Sequence, residues 1–184
     1  MTVVSKSTLQ DRETICIELK GDDGMEVVYA LPVPQYNGYF ATTCGRIVSY
    51  MNGYNGTEAS RRPMNPIFLK ANVNPVNGYH SVELSNYSDG KSHRKKEYVH
   101  RIIAKTFFEP PSNFESFDAS TGKHLDSPRT EVNHIDCNKA NNKVANLEWV
   151  CKKENQHHYH VMKELGLHDK YESDTDKANE EGDC

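Results

Sequence analysis

One stretch in the second half of the chain, residues 131–155, constrains the fold more than any other. It begins with a short apolar run that ends in His134, and an asparagine-rich polar loop follows. A second short apolar run, residues 147–150, leads into a helix-like segment. Short apolar runs separated by turn-forming residues are typical of strands. The stretch therefore predicts a strand, a loop, a second strand and a helix, in that order.

The residue identities in this stretch add a second signal. They read NHIDCNKANN from residue 133, NLEWV from residue 146 and EN at residues 154–155. This pattern resembles the ββα-metal core of HNH endonucleases, in particular the homing enzymes of phages and introns. The resemblance implies an α+β fold, in which an antiparallel β-rich N-terminal part and a helix precede the ββα-metal HNH core. It also implies metal-dependent hydrolysis of DNA phosphodiester bonds.

The resemblance assigns roles to individual residues. His134 corresponds to the general base, and a histidine with an ordinary pKa near ~6.5 suits that task at neutral pH. Asn146 corresponds to the residue that pins the loop so that a carbonyl orients the histidine ring. Asn133 and Asn155 correspond to the positions that hold the metal, and their amide oxygens suit Mg²⁺ or Mn²⁺ better than zinc. His158 shares a helix face with Asn155 and is a further candidate for contact with phosphate or metal.

Each of these residues also has a structural alternative. A histidine at a strand end can simply be packed there, and Asn155 can be a surface residue near a helix start. Two positions depart from the family pattern. Cys137 stands where glycine is common, which predicts strain in a tight turn. Cys151 stands where serine or threonine is common, and we expect it to be a weaker helix cap by about 1 kcal/mol.

The charge distribution allows a nucleic-acid surface even though the net charge is −4. Residues 1–30 carry a net charge of −3 and residues 164–184 carry −6, whereas residues 31–163 carry +5. A basic middle part is the electrostatic pattern expected of a protein that contacts phosphates. For any single basic residue, ordinary solvated surface is the alternative. The candidate DNA-binding residues are Arg46, Arg61, Arg62, Lys91, Arg94, Lys95, Lys96, Arg101, Lys105, Lys139 and Lys143.

Two segments ahead of the core extend the resemblance. Residues 36–51 predict a hairpin with its turn at Cys44 and Gly45, and they resemble the small module that often precedes the core in phage homing enzymes. Residues 97–109 show the clearest helical periodicity. Their VHRIIA string, from residue 99, is similar to the helix that precedes the core in this family.

Other segments carry weaker signals. Residues 14–19, 25–31, 67–73 and 79–84 are predicted strands. The segment between the two predicted helices, residues 112–130, is expected to be an irregular insertion. The helix after the core is expected at residues 153–165, with Val161, Met162 and Leu165 facing inward.

These patterns predict four parts. They are a polar N-terminal extension with possible strands (1–30), a β-rich DNA-binding module (31–97), an HNH nuclease domain with the insertion (98–168) and an acidic, disordered tail (169–184).

Composition excludes several classes of protein. The five cysteines form no CxxC pair and are odd in number, which argues against a disulfide framework and a cysteine-rich zinc site. No apolar run approaches the ~20 residues that span a bilayer, and the N-terminus has no apolar signal-peptide segment. We therefore expect a cytoplasmic protein with no membrane association. The resemblance to HNH endonucleases further implies a phage-infected host cell, double-stranded DNA as the partner, Mg²⁺ or Mn²⁺ as the cofactor, and a monomer. The alternatives are an HNH fold that binds DNA without cutting it and a nuclease-like protein of phage DNA packaging.

Overall fold

The computed structural model confirms an α+β fold. It describes residues 2–9, 12–21, 24–50, 67–88, 91–108, 115–118, 123–126 and 129–167. Within these ranges the chain forms four antiparallel sheets and two α-helices. The largest sheet has six strands in chain order, so each strand pairs with its neighbour in sequence. These strands are β1 (Thr2–Leu9), β2 (Arg12–Gly21), β3 (Gly24–Pro32), β4 (Tyr39–Thr42), β5 (Ile47–Ser49) and β6 (Ile67–Phe68).

The turn between β4 and β5 confirms the predicted hairpin. Gly45 adopts φ +84°, a left-handed conformation that favours glycine. The Thr42 side chain fixes this turn, because its Oγ1 donates to the Arg46 carbonyl at 2.7 Å and accepts from the Arg46 amide at 3.0 Å. Both hydrogen bonds lie within the same short turn, so the tip of the hairpin has a defined shape.

A three-stranded sheet and the first helix follow. The sheet contains β7 (Asn72–Val73), β8 (His80–Ser88) and β9 (Lys91–Tyr98), and α1 (Val99–Phe107) begins where β9 ends. The predicted helix was therefore two residues too long at its start, since Glu97 and Tyr98 belong to β9. Glu109, its predicted end, lies outside the described residues.

The predicted strand, loop, strand and helix of the core are present. Strand β12 (Glu131–His134) pairs with β13 (Leu147–Val150), a short 3₁₀-helix (Val144–Asn146) precedes β13, and α2 (Lys152–Glu164) follows it. The antiparallel register places Asn133 opposite Glu148 and His134 opposite Leu147.

The expectation that the segment 112–130 is irregular was wrong. Within it, β10 (Glu115–Asp118) pairs with β11 (Lys123–Asp126) as an antiparallel hairpin. The two strands read ESFD and KHLD, sequences too short and too polar to show the alternation that usually reveals a strand.

One hydrophobic cluster joins the N-terminal hairpin to the HNH-like core. Buried side chains of α1 lie in the same cluster as buried side chains of β4, β5, β8, β12 and β13. Residues on both sides of position 97, where the sequence predicts a boundary, therefore share one core. The cluster contains Val33, Tyr39, Ala41, Ile47, Val82, Leu84, Val99, Ile102, Ile103, Ala104, Val132 and Leu147.

Helix α2 is attached more loosely than expected. Val161 and Leu165 were predicted to face inward, but their side chains are 37% and 64% exposed. Glu154, Asn155 and His158 of α2 contact Arg129, Glu131 and Cys137, respectively. No helix in the described part of the chain is both long enough and apolar enough to cross a membrane.

Candidate active site

His134 lies at the end of β12 with only 4% of its side chain exposed. Its ring is held between two other rings. The ring centroids of His134 and His100, the second residue of α1, are 5.2 Å apart in an edge-on arrangement. The Tyr79 ring lies 5.9 Å from His134 and 4.7 Å from His100. Contact with the rings of His100 and Tyr79 restricts the rotation of the His134 imidazole.

Asn142 sets the orientation and tautomer of this imidazole. Its side-chain oxygen Oδ1 lies 3.2 Å from His134 Nε2. The amide nitrogen of Asn142 donates instead to the Ala140 carbonyl at 3.1 Å, so the atom that faces the ring is the oxygen. Because an amide oxygen can only accept, Nε2 carries the proton and donates it. The lone pair then resides on Nδ1, the nitrogen that can act as a base.

Burial lowers the pKa of His134 below its ordinary value. The hydrogen bond to Asn142 and the carboxylate of Asp136 act in the opposite direction, whereas His80 and Lys139 lower that pKa further. The desolvation of the charged imidazolium is the largest of these effects. His134 is therefore neutral at neutral pH, which is the state that a general base needs.

Asp136 and Asn146 hold the loop between the two strands. Asn146 donates from its amide to Asp136 Oδ1 and to the Asn141 carbonyl, each at 2.8 Å. Its own oxygen accepts from the Asp136 amide at 3.0 Å. Asp136 also accepts from the backbone of Asn138 at 2.8 Å and from the side chain of Asn141. Asn146 thus pins the loop, while the carbonyl that contacts the imidazole belongs to Asn142.

Cys137 adopts φ +63°, which explains why glycine would suit this position. Non-glycine residues in this region cost about 1 kcal/mol or more. The Cys137 thiol lies 3.9 Å from Nδ1 of His158, so His158 approaches the loop from α2. Burial, followed by the neighbouring Asp136, raises the pKa of the Cys137 thiol. The cysteine is therefore a neutral packing group in the loop.

Asn133 and Asn155, the predicted metal ligands, are each held by a carboxylate. The Asn133 amide donates to Glu148 Oε1 at 2.9 Å across the strand pair. The Asn155 amide donates to Glu131 Oε2 at 2.6 Å. With both amide nitrogens engaged, the carbonyl oxygens are the donor atoms that remain for a ligand. Oxygen donors of this kind fit a hard cation such as Mg²⁺ or Mn²⁺.

The predicted residues meet at one cavity of about 260 Å³. Asn133, His134, Asn155 and His158 all contribute to its wall. The structure therefore brings the candidate base, the two candidate metal-binding amides and the further histidine to one cavity. The complete lining is Tyr79, Val132, Asn133, His134, Cys137, Lys139, Asn155, Gln156, His158 and Tyr159.

The start of α2 is fixed by a capping box in which Cys151 takes part. Its sulfur accepts from the Glu154 amide at 3.5 Å, and Glu154 Oε2 accepts from the Cys151 amide at 2.8 Å. Arg129 pairs with the other oxygen of Glu154 at 2.8 Å. Glu154 therefore supports the weaker cysteine cap and positions Asn155, the next residue.

The predicted DNA-binding residues occupy several elements. Lys139 lies over the ring of Tyr79 at 5.6 Å, beside the cavity. The Arg46 guanidinium lies 3.7 Å above the Phe68 ring. Arg101 donates to the Thr130 carbonyl at 3.3 Å. Arg46, Lys91, Arg94, Lys95, Lys96, Lys105 and Lys143 are exposed, while Arg61 and Arg62 lie outside the described residues.

The two faces of β9 differ. Alternate residues of a strand point to opposite faces, so Arg94 and Lys96 share a face with Tyr98. The Tyr98 ring lies 5.6 Å from that of His100, next to His134. Lys95 lies on the opposite face, where its Nζ is 2.6 Å from Glu97.

Asn142, Glu131 and Glu148 are functional candidates that sequence reasoning missed. Glu148 could have been found from the pairing of the two predicted strands, if their register were known. Asn142 lies within the quoted motif, but its contact with His134 depends on the path of the loop. Within the described residues, no group of three or more histidine, cysteine, aspartate or glutamate side chains is arranged to hold a metal.

Comparison with known proteins assigns this region. The family model described as HNH endonuclease matches residues 117–157, which include His134, Asn146 and both asparagines of the cavity. This part of the chain is therefore similar to HNH endonucleases. Nucleases of the family generally use divalent metal ions and act on DNA.

Two relatives agree with this assignment. An uncharacterized HNH endonuclease of Acanthamoeba polyphaga mimivirus is 31% identical over 129 residues, which is 70% of this chain and 29% of the viral protein. A candidate HNH homing endonuclease from the SPbeta prophage of Bacillus subtilis (strain 168) is 39% identical over 88 residues, 48% of this chain and 40% of that protein. The chain thus spans less than half the length of either relative. No solved structure matches it.

Proposed function

We propose that this protein is a metal-dependent DNA endonuclease of the homing type, with His134 as its general base. The observation that carries the proposal is the position of His134, which is hydrogen-bonded to Asn142 and lies at the wall of a cavity that Asn133 and Asn155 also line. The prophage relative, which is named as a candidate homing endonuclease, supports the homing type.

The chain's own residues account for the proton transfer. Nδ1 of His134 accepts the proton of the attacking water. Nε2 keeps its own proton and donates it in a hydrogen bond to Asn142 Oδ1. The low pKa of the buried ring keeps Nδ1 unprotonated before the reaction. The bond to Asn142 then stabilises the imidazolium that forms, because a hydrogen bond to a charged group is stronger than one to a neutral group.

The amide oxygens of Asn133 and Asn155 would hold Mg²⁺ or Mn²⁺. Glu148 and Glu131 fix the two amides by accepting from their nitrogens. When bound, the cation supplies charge neutralisation at the phosphate and at the leaving oxygen.

The basic face of β9 leads towards the cavity and is the proposed path of the DNA backbone. Arg94 and Lys96 are exposed on the same face as Tyr98, whose ring is next to His100. Lys139 lies beside the cavity itself. Such residues contact phosphates and hold the duplex in register without reading its sequence.

The deciding experiment compares wild-type protein with His134→Ala in single-turnover cleavage of double-stranded DNA with Mg²⁺. A general base contributes about 10²–10⁴-fold to the rate, so we expect a loss of that size with DNA affinity nearly unchanged. The matched control is His160→Ala, which removes an exposed histidine from α2 and should leave the rate unaltered.

The outcomes separate the alternatives. If His134→Ala keeps more than about a tenth of the wild-type rate, His134 is not the general base. If the wild-type protein binds DNA but cuts none with Mg²⁺ or Mn²⁺, the protein is a DNA-binding HNH fold instead.

A further inference from the structure

The tip of the β4–β5 hairpin touches the loop that carries Asn142. A Cβ atom added to Gly45 would overlap the carbonyl carbon and oxygen of Asn142 and lie 2.7 Å from the Lys143 nitrogen. These are backbone atoms, so they cannot move aside as a flexible side chain could. Thr43, in the same turn, accepts from the Val144 amide at 3.1 Å. The turn therefore forms a close-fitting support under residues 142–144.

The side chain of Asn142 contacts His134, the proposed general base. Asn142 is 4% exposed, and its backbone amide also bonds the Ala140 carbonyl at 3.1 Å. Its backbone thus contacts Gly45, while its side chain contacts His134. A displacement of the Asn142 backbone moves Oδ1 relative to His134 Nε2, because only a short side chain separates the two.

We propose that the Gly45 turn and Asn142 are positioning residues for His134, through which the N-terminal hairpin holds the general base in its reactive tautomer. The inference rests on the proposed nuclease function for its kinetic part. Asn142 fixes which nitrogen carries the proton, and Gly45 fixes where Asn142 lies. A β-hairpin outside the matched family segment, 117–157, is then part of the catalytic machinery.

The first test replaces Gly45 by alanine and uses Gly166→Ala as the matched control. Gly166 has a similar conformation, φ +66°, but no atom lies within 4 Å of an added Cβ. Both variants carry the same backbone strain, and only Gly45→Ala presses on Asn142. We expect Gly45→Ala to lower the single-turnover rate by at least about tenfold, since small misplacements of reacting groups have large effects. DNA affinity should stay within about twofold of wild type, and Gly166→Ala should keep the wild-type rate.

The second test acts on Asn142 directly and remains informative if Gly45→Ala does not fold. Asn142→Leu keeps the branching at Cγ, with a larger volume, but offers no acceptor to Nε2. Asn142→Asp keeps an oxygen there while it loses the donor to Ala140. We expect cleavage to fall strongly in the leucine variant and to be partly rescued in the aspartate variant. Equal rates in the two variants would overturn the role of the hydrogen bond.

A third measurement needs neither DNA nor metal. The ¹⁵N chemical shifts of the His134 ring report its tautomer, at a pH where the ring is neutral. Wild type and Gly166→Ala should show the proton on Nε2, and Gly45→Ala and Asn142→Leu should lose this preference. If Gly45→Ala and Gly166→Ala give the same shifts, the positioning proposal is wrong. If the wild-type protein cuts no DNA, the proposed function fails, while the ring shifts still decide the proposal about positioning.

Discussion

At the scale of single residues, the lowered pKa of His134 has a measurable consequence. Burial lowers the pKa of His134, and the base must be neutral to accept a proton. As the pH falls, the neutral form therefore persists below the ordinary value of about 6.5. The pH at which the single-turnover rate is half-maximal should therefore lie below 6.5. Rates measured with saturating DNA from about pH 5 to about pH 8 test this, and a half-maximal rate at or above pH 6.5 would contradict it.

Asn133 offers a second prediction at this scale. An Asn133→Asp substitution introduces a carboxylate that could bind metal, but it also sets that carboxylate against Glu148, which now accepts from the Asn133 amide. Like charges directly opposite each other on paired strands are destabilising by up to about 1 kcal/mol. The metal-free variant should therefore melt about 2–4 °C below wild type. Added Mn²⁺ should recover part of that loss by neutralising the pair.

The control for this prediction is the double variant Asn133→Asp, Glu148→Gln. It keeps a hydrogen bond across the strands and removes one of the two charges. Its melting temperature should return towards wild type without metal. If the single variant is as stable as wild type in metal-free buffer, the Asn133–Glu148 contact contributes little.

The motif made most of the site predictable. His134, Asn133, Asn146 and Asn155 follow from identities at fixed spacing, and the structure places them around one cavity or in its loop. The partners of these residues could not be predicted in the same way. Glu148 reaches Asn133 through strand register, and sequence spacing does not fix a register.

At the scale of elements, the β8–β9 hairpin separates basic residues that look equivalent in sequence. Arg94 and Lys96 share the face of Tyr98, while Lys95 is on the other face and paired with Glu97 at 2.6 Å. Arg94→Ala and Lys96→Ala should each weaken DNA binding at all sequences alike. Each should also make the slope of log affinity against log salt shallower by up to about one unit. Lys95→Ala is the matched control and should change both quantities less.

The test is a salt titration of DNA affinity for the three variants. If Lys95→Ala changes DNA affinity and its salt slope as much as the other two variants do, DNA does not distinguish the two faces of β9. Reduced binding with an unchanged salt slope would show that Arg94 and Lys96 act through folding rather than through phosphate contact.

Element boundaries show where sequence reasoning fails. The apolar spacing predicts α1 correctly, because its buried face recurs at helical intervals. It does not show that Glu97 and Tyr98 extend β9. These two residues pair with Val82 and Ser81 of the preceding strand, β8, and helical spacing carries no information about that pairing. In α2 the same spacing predicts a buried face, yet Val161 and Leu165 are exposed. A helical pattern indicates which residues share a face and not whether another element covers it.

At the scale of the whole molecule, buried histidines couple folding to pH. Burial is the main cause that lowers the pKa of His100 to about 3, and its Nδ1 has no hydrogen-bond partner among the described residues. Below about pH 6.5 the unfolded chain takes up a proton that the folded protein does not, so stability falls as the pH falls. The loss is about 1.4 kcal/mol per pH unit between 6.5 and 3, or about 2 kcal/mol at pH 5.

Thermal melting of wild type and His100→Phe at about pH 7 and about pH 5 tests this coupling. The phenylalanine ring is planar and does not titrate, so the variant should lose less stability on acidification. His134, whose pKa is also lowered, should account for part of the remaining slope. The same pH dependence in both proteins would show that His100 titrates normally in the fold.

The shared core also determines when during folding the protein can become active. The Gly45 turn and the Asn142 loop are far apart in sequence, and contacts of this kind form slowly because a long segment must first be ordered. Strand β13, which pairs with the His134 strand, is among the last described parts to be synthesised. A chain in which β13 has not yet paired with β12 lacks the ordered loop through which Asn142 contacts both His134 and Gly45. The proposed nuclease site is therefore complete only after this long-range contact has formed.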